Sequence, residues 1–142
     1  MSRIPWYDWL DSYLGEHEVE GADFNNPFIL SLFKHTSYHP LNDETPWCAA
    51  AINAALAETG YKGTGSAAAI SFAIYGMPSN KIRGAIVVFK WADGSHHVAL
   101  LNRVIDDKYV ECLGGNQADT VKLSKYRISS IIAVRWPIKV EK

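Results

Sequence analysis

The sequence predicts an α+β domain, with N-terminal helices packed on a C-terminal antiparallel sheet of about five strands. Up to about Gly76, apolar residues recur at helical spacing behind capping and proline starts. After Gly84, short β-branched runs alternate with turn residues. With 142 residues, 48% of them hydrophobic and 20% charged, the chain has the length and composition of one globular core, so residues 1–142 are read as a single domain.

Trp6, Leu10 and Leu14 recur at a spacing of about four and define a first helix that Gly15 stops. Asn26 as N-cap and Pro27 in the first helical position start a second, with Phe28, Leu32 and Phe33 as its buried face. A polar loop, Ser37 to Asn42, follows. The third helix has the clearest start: Thr45 caps, Pro46 takes the first position, and an alanine-rich run carries it to Ala57. The stretch Gly60 to Gly65 is a loop, Ser66 caps a fourth helix from Ala67 to about Tyr75, and Gly76-Met77-Pro78 ends it. The strands expected are Ala85–Phe89, Val98–Leu101, Tyr109–Leu113, Val121–Leu123 and Ile131–Trp136, with Asp106-Asp107 as a hairpin turn.

Charge and composition exclude several function classes. Fourteen Lys and Arg against fifteen Asp and Glu give a net charge of -1, without the basic excess of a nucleic-acid binder. No apolar run is long enough to cross a bilayer, and no apolar signal segment follows Met1, so the expectation is a protein made in the cytoplasm that is not membrane-embedded. Cys48 and Cys112 do not make a disulfide framework and are read as free thiols. Some of the five Trp and seven Tyr are candidates for lining a groove, the rest for the core.

Cys48 stands in the first turn of the third helix, where unpaired N–H groups and the helix dipole favour an anion and bias a thiol toward thiolate. The competing reading is a small buried hydrophobe. A thiolate nucleophile needs a base, and His97 opens the strand Val98–Leu101; its neighbour His96 faces the other side, so one of the two can meet Cys48. Asn116, in the Gly114-Gly115-Asn116-Gln117 turn, can accept from the imidazole N–H and orient it, with Glu111 as competitor and a plain turn as the alternative. Trp47 is either a substrate wall or core, and Ser66 either a substrate contact or only a cap. A zinc site from His96, His97 and Cys112 has no recognised ligand spacing.

Five motifs occur in order: Asp43-Glu44-Thr45-Pro46-Trp47-Cys48-Ala49-Ala50, Gly63-Thr64-Gly65-Ser66-Ala67, His97-Val98-Ala99, Leu113-Gly114-Gly115-Asn116-Gln117 and Arg135-Trp136-Pro137. That series resembles the NlpC-type and CHAP-type papain-like cysteine peptidases of bacterial cell-wall degradation, and more narrowly a small single-domain group of bacteria and their phages. The resemblance runs from about Trp6 to Pro137; the family often has Gly where His96 stands. It implies a papain-like fold with Cys48 as nucleophile, His97 as base and Asn116 as the orienting residue. It also implies a peptidoglycan amide as substrate, either in the stem peptide or at the muramoyl–alanine link, with no metal or organic cofactor. Some CHAP relatives hold calcium, for which Asp43 and Glu44 alone are too few ligands; helix-end electrostatics is the simpler role. The expectation is a monomer that acts on the cell wall or periplasm after holin-type release or injection, as a phage endolysin or cell-wall effector. The alternatives are a papain-like enzyme modifying a protein substrate and an inactive wall-peptide binding module.

Overall fold

The computed structural model describes residues 4–14, 48–66, 68–117 and 120–138. The expected second helix at Asn26, the loop to Asn42, and Asp43 to Trp47 lie outside the described residues. Helix α1 (Pro5–Asp11) starts with Pro5 in the first turn and buries Trp6, Tyr7 and Leu10. It is shorter than the apolar spacing suggested. The Ser12 N–H closes onto Asp8 and Leu10 carbonyls, so Leu14 falls past the helix end and is exposed. The Trp6 indole N–H donates to the Gly84 carbonyl at 2.8 Å and fastens α1 to the chain just before the central strands. Gly84 has φ +92°, and a Cβ there would run into Ile4, so the close approach depends on glycine.

Helix α2 (Cys48–Glu58) is buried on nearly every side, from Cys48 through Leu56. A helix apolar all round belongs in the middle of a core. Its alanines let it approach the sheet closely, while Ile52 and Leu56 fill the remaining volume. Asn53, buried within this helix, holds the following loop. Its amide nitrogen donates to the Ala49 carbonyl, the Thr64 hydroxyl and the Ser66 carbonyl. Its amide oxygen accepts from the Thr64 and Gly65 N–H groups at 2.7 and 3.2 Å. Gly63 is required beside it, since a Cβ would overlap that oxygen.

The expected fourth helix is a 3-10 segment, Ala69–Ile74. Ser66 makes a local turn, its hydroxyl accepting from the Ala68 N–H at 3.1 Å, and Ala68 stands at the cap position with no side-chain bond. Among the described residues the sheet has six antiparallel strands in the order β1-β6-β2-β3-β4-β5: β1 (Met77–Pro78), β2 (Ile86–Lys90), β3 (His96–Val104), β4 (Tyr109–Gln117), β5 (Thr120–Arg127) and β6 (Ile131–Trp136). The strand not foreseen, β1, is two residues that pair with Trp136 and Arg135. Asp106 closes the β3–β4 hairpin as expected, its carboxylate accepting from the Lys108 and Tyr109 N–H groups.

Alternation along the strands builds two apolar layers. Ile86, Val88, Val98, Leu100 and Leu113 face α1 and α2, while Val87, Phe89, Ala99, Leu101 and Cys112 form a second cluster on the opposite face. Both cysteines are free thiols and buried.

Replacing Asn53 by Leu leaves the Thr64 and Gly65 amides without their acceptor, at roughly 1–3 kcal/mol for each buried group. Urea unfolding should show a loss of about 3 kcal/mol. The core also ties stability to alkaline pH. Burial pushes the Cys112 thiol from about 9 up to about 12, with the Glu111 charge adding to it. Tyr7 and Tyr75 are likewise raised to about 12, chiefly by burial. Each group is neutral in the native chain and ionises earlier when unfolded. Stability is therefore intact below about pH 9 and falls as pH rises toward about 12. Cys112→Val should flatten that fall in urea titrations at pH 8, 9.5 and 10.5; an unchanged slope contradicts the assignment.

Candidate active site

Cys48 is the first described residue of α2 and is 6% exposed. Its own N–H and that of Ala49 point toward the sulfur, as expected at a helix start, and a third N–H comes from Val98 in β3. That third donor depends on a parting of strands. β3 pairs with β2 along His96 to Leu100, but its pairing with β4 begins only at Leu100 opposite Leu113. Between His96 and Ala99 the edge of β3 toward β4 is outside the ladder, and the Cys48 sulfur takes the Val98 N–H there.

His97 adjoins that amide. It is 7% exposed, whereas His96 is half-buried, so of the two it is His97 that the core encloses. Its ring lies among Phe89, Trp91 and Tyr126, stacked on Trp91 with centroids 6.1 Å apart and 5.5 Å from Tyr126. The Tyr126 hydroxyl stands 3.4 Å from Nε2. Cys48 and His97 therefore come together at the start of β3, an arrangement that supports cysteine-hydrolase chemistry in general.

The electrostatics differ from the sequence expectation. Burial raises the Cys48 thiol above its ordinary value, against the lowering pull of the Val98, Ala49 and Cys48 amides. A helix end contributes about 0.3–1 kcal/mol toward an anion. Loss of hydration around the buried sulfur is the larger effect and disfavours the thiolate. Desolvation wins, and the resting sulfur is a thiol whose proton a base must remove.

Of Asn116, the expected third member, the structure describes only the backbone. Gly114-Gly115-Asn116-Gln117 is not a turn but the last part of β4, with an irregular register against β5 between Gly114 and Gln117. The β3–β4 ladder ends at Leu100 opposite Leu113, so strand register does not set Asn116 against His97, and the Asn116 side chain lies outside the described residues. Glu111, its competitor, is engaged elsewhere. The carboxylate accepts from Asn102 at 2.7 Å and from Arg103 at 3.2 Å. Asn102, the other amide on β3, also receives the Arg83 guanidinium, and it sits five residues from His97, about 16 Å along a strand.

Trp47 lies outside the described residues. Ser66 belongs to the loop held by Asn53, whose Cα is about 7.5 Å along the α2 axis from that of Cys48. Tyr126 and Trp91 are the site residues that sequence reasoning missed. The strand expected at Val121–Leu123 runs on to Arg127, and only its pairing with β4 brings Tyr126 back to His97. Among the described residues, no cluster of three or more His, Cys, Asp or Glu side chains is placed to hold a metal ion.

With its thiol raised by burial, Cys48 should react slowly with iodoacetamide at pH 7 and faster as pH climbs toward 9 and beyond, read by mass spectrometry of the modified peptide. A rate already at its plateau below pH 7 would mean a preformed thiolate and would contradict this balance. Cys112, wholly buried, should stay unmodified until the chain unfolds.

No family model, no curated protein and no solved structure matches the chain.

Proposed function

We propose that the chain is a papain-like cysteine hydrolase that cleaves an amide bond of peptidoglycan, in the stem peptide or at the muramoyl–alanine link. One observation carries the reading: a cysteine at the start of a buried helix has its sulfur on the backbone amide next to an enclosed histidine. The ordered series of five motifs supports the substrate class, and a net charge of -1 gives no sign of a nucleic-acid partner. Among the described residues no helix is long and apolar enough to cross a membrane. The site of action is proposed to be the cell wall, reached after holin-type release or injection, and the working form a monomer.

The chemistry follows from the groups present. His97 takes the Cys48 proton, and the sulfur attacks the carbonyl carbon. The oxyanion that forms is met by the Cys48 backbone N–H at the helix start, a fixed donor in a site with little water. The imidazolium then gives its proton to the leaving amine, a thioester remains, and water activated by His97 hydrolyses it. Asn116 is proposed to orient the ring through its amide oxygen, Trp47 to wall the substrate groove and Ser66 to contact the substrate. Every step is assigned to a side chain or backbone group of this chain, and none calls on a metal or organic cofactor.

Purified peptidoglycan digested with the protein should release fragments whose new amino and carboxyl termini, identified by mass spectrometry, name the bond. Cys48→Ala should lower that release by several orders of magnitude with an unchanged melting curve. Wild-type digestion by Cys48→Ala removes the mechanism. Modification of a protein substrate with no wall digestion moves the chain to the other enzyme class, and binding of wall peptides without turnover makes it a binding module. Asn116→Ala should reduce kcat more than it raises KM, by less than the loss of Cys48.

A further inference from the structure

The ring of Tyr126 is packed at tilted angles against the aromatic residues of the site. Its centroid is 4.8 Å from that of Phe89, 5.5 Å from Trp91 and 5.5 Å from His97, so three aromatic neighbours fix where its hydroxyl points. That oxygen stands 3.4 Å from His97 Nε2 and also shares a hydrogen bond with Ser124, two residues back on the same face of β5. The hydroxyl is in electrostatic reach of Cys48 as well.

We propose that Tyr126 is a positioning residue of the site: its hydroxyl oxygen accepts from His97 Nε2–H, with Asn116 acting on the ring only as a second acceptor of that same N–H, and Nδ1 is the basic nitrogen that takes the Cys48 proton. The proposal rests on the Cys48–His97 pairing of the proposed function and not on the substrate. Nδ1 is the ring nitrogen nearer the backbone, and the Cys48 sulfur lies at the Val98 N–H, the next backbone amide along β3. With the proton on Nε2 toward Tyr126, the neutral ring carries its basic lone pair on Nδ1.

The proton balance is simple. The S–H bond of Cys48 breaks and an Nδ1–H bond forms, leaving thiolate and imidazolium. Nε2 keeps its proton throughout, and its bond to the phenol oxygen becomes charge-assisted when the ring is positive. The phenol proton stays on Tyr126, turned toward Ser124 Oγ. Burial holds the phenol neutral well above its ordinary range, so it steadies the ring without adding a full negative charge beside the thiolate. A separation of 3.4 Å is long for such a bond, as resting catalytic contacts often are, and the three ring packings keep the pair aligned for it to tighten.

Tyr126→Phe in the full chain removes the hydroxyl and keeps the ring contacts. Iodoacetamide modification of Cys48 at pH 7.5, followed by mass spectrometry, should slow about ten-fold, the value of one lost hydrogen bond to a catalytic ring. In ¹⁵N-labelled protein the His97 Nε2 resonance should move and its proton should exchange faster, while the backbone amide spectrum stays dispersed and so reports an intact fold. Modification at the wild-type rate with an unmoved Nε2 resonance would overturn the proposal, as would a wild-type His97 carrying its proton on Nδ1. The wall digestion is read separately. If the Cys48 rate and the His97 resonance both respond while neither protein digests peptidoglycan, Tyr126 keeps its role and the substrate reading falls.

Discussion

The close packing of α2 against β3 and β4 is the constraint on which the other features depend. Leucine-sized side chains on every face would hold the helix off the sheet; alanine lets the backbones approach, and the run Ala49 to Ala51 with Ala54 and Ala55 is wholly buried or nearly so. The approach carries Cys48 into the place where β3 and β4 have parted and where Val98 has an N–H to spare for the sulfur. Asn53, buried on the same helix, converts one polar side chain into five hydrogen bonds and so fixes the loop through Ser66 without leaving an unpaired amide in the core.

Placing the cysteine there sets two effects against each other. The helix start and the Val98 amide favour a negative sulfur, and exclusion of water disfavours it more. The sulfur is consequently a latent nucleophile whose reactivity depends on His97 and not on the helix alone. Among the described residues His97 is flanked by aromatic faces, with Trp91 stacked at 20° and Tyr126 at its far nitrogen. Glu111, the one carboxylate on β4, is drawn off by Asn102 and Arg103 toward the other end of β3, where a register shift between Leu101 and Arg103 lets these side chains meet. A neutral orienting group beside a thiol–imidazole pair allows the ion pair to form during reaction without a competing anion.

Much of the architecture was legible in the residues because it rests on local physics. Apolar residues at a spacing of about four, an alanine-rich run, β-branched segments between turn residues and an aspartate pair in a hairpin each act within a few positions, and α1, α2 and the five principal strands follow from them. Cys48 at the start of α2 and His97 at the start of β3 were legible for the same reason. The length of α1, the 3-10 form of Ala69–Ile74 and the pairing of Met77–Pro78 with β6 were not, because each is decided by a partner far away in the chain.

The sequence by itself determined the fold class, the helix that carries Cys48 and the strand that carries His97, since helix propensity, periodicity and β-propensity act between neighbours. The tertiary structure alone decided the protonation of Cys48, the engagement of Glu111 with Asn102 and Arg103, and the presence of Tyr126 at His97. Desolvation depends on what surrounds a group in space, and strand register brings together residues as far apart as 97 and 126; neither quantity is written in the spacing of adjacent residues.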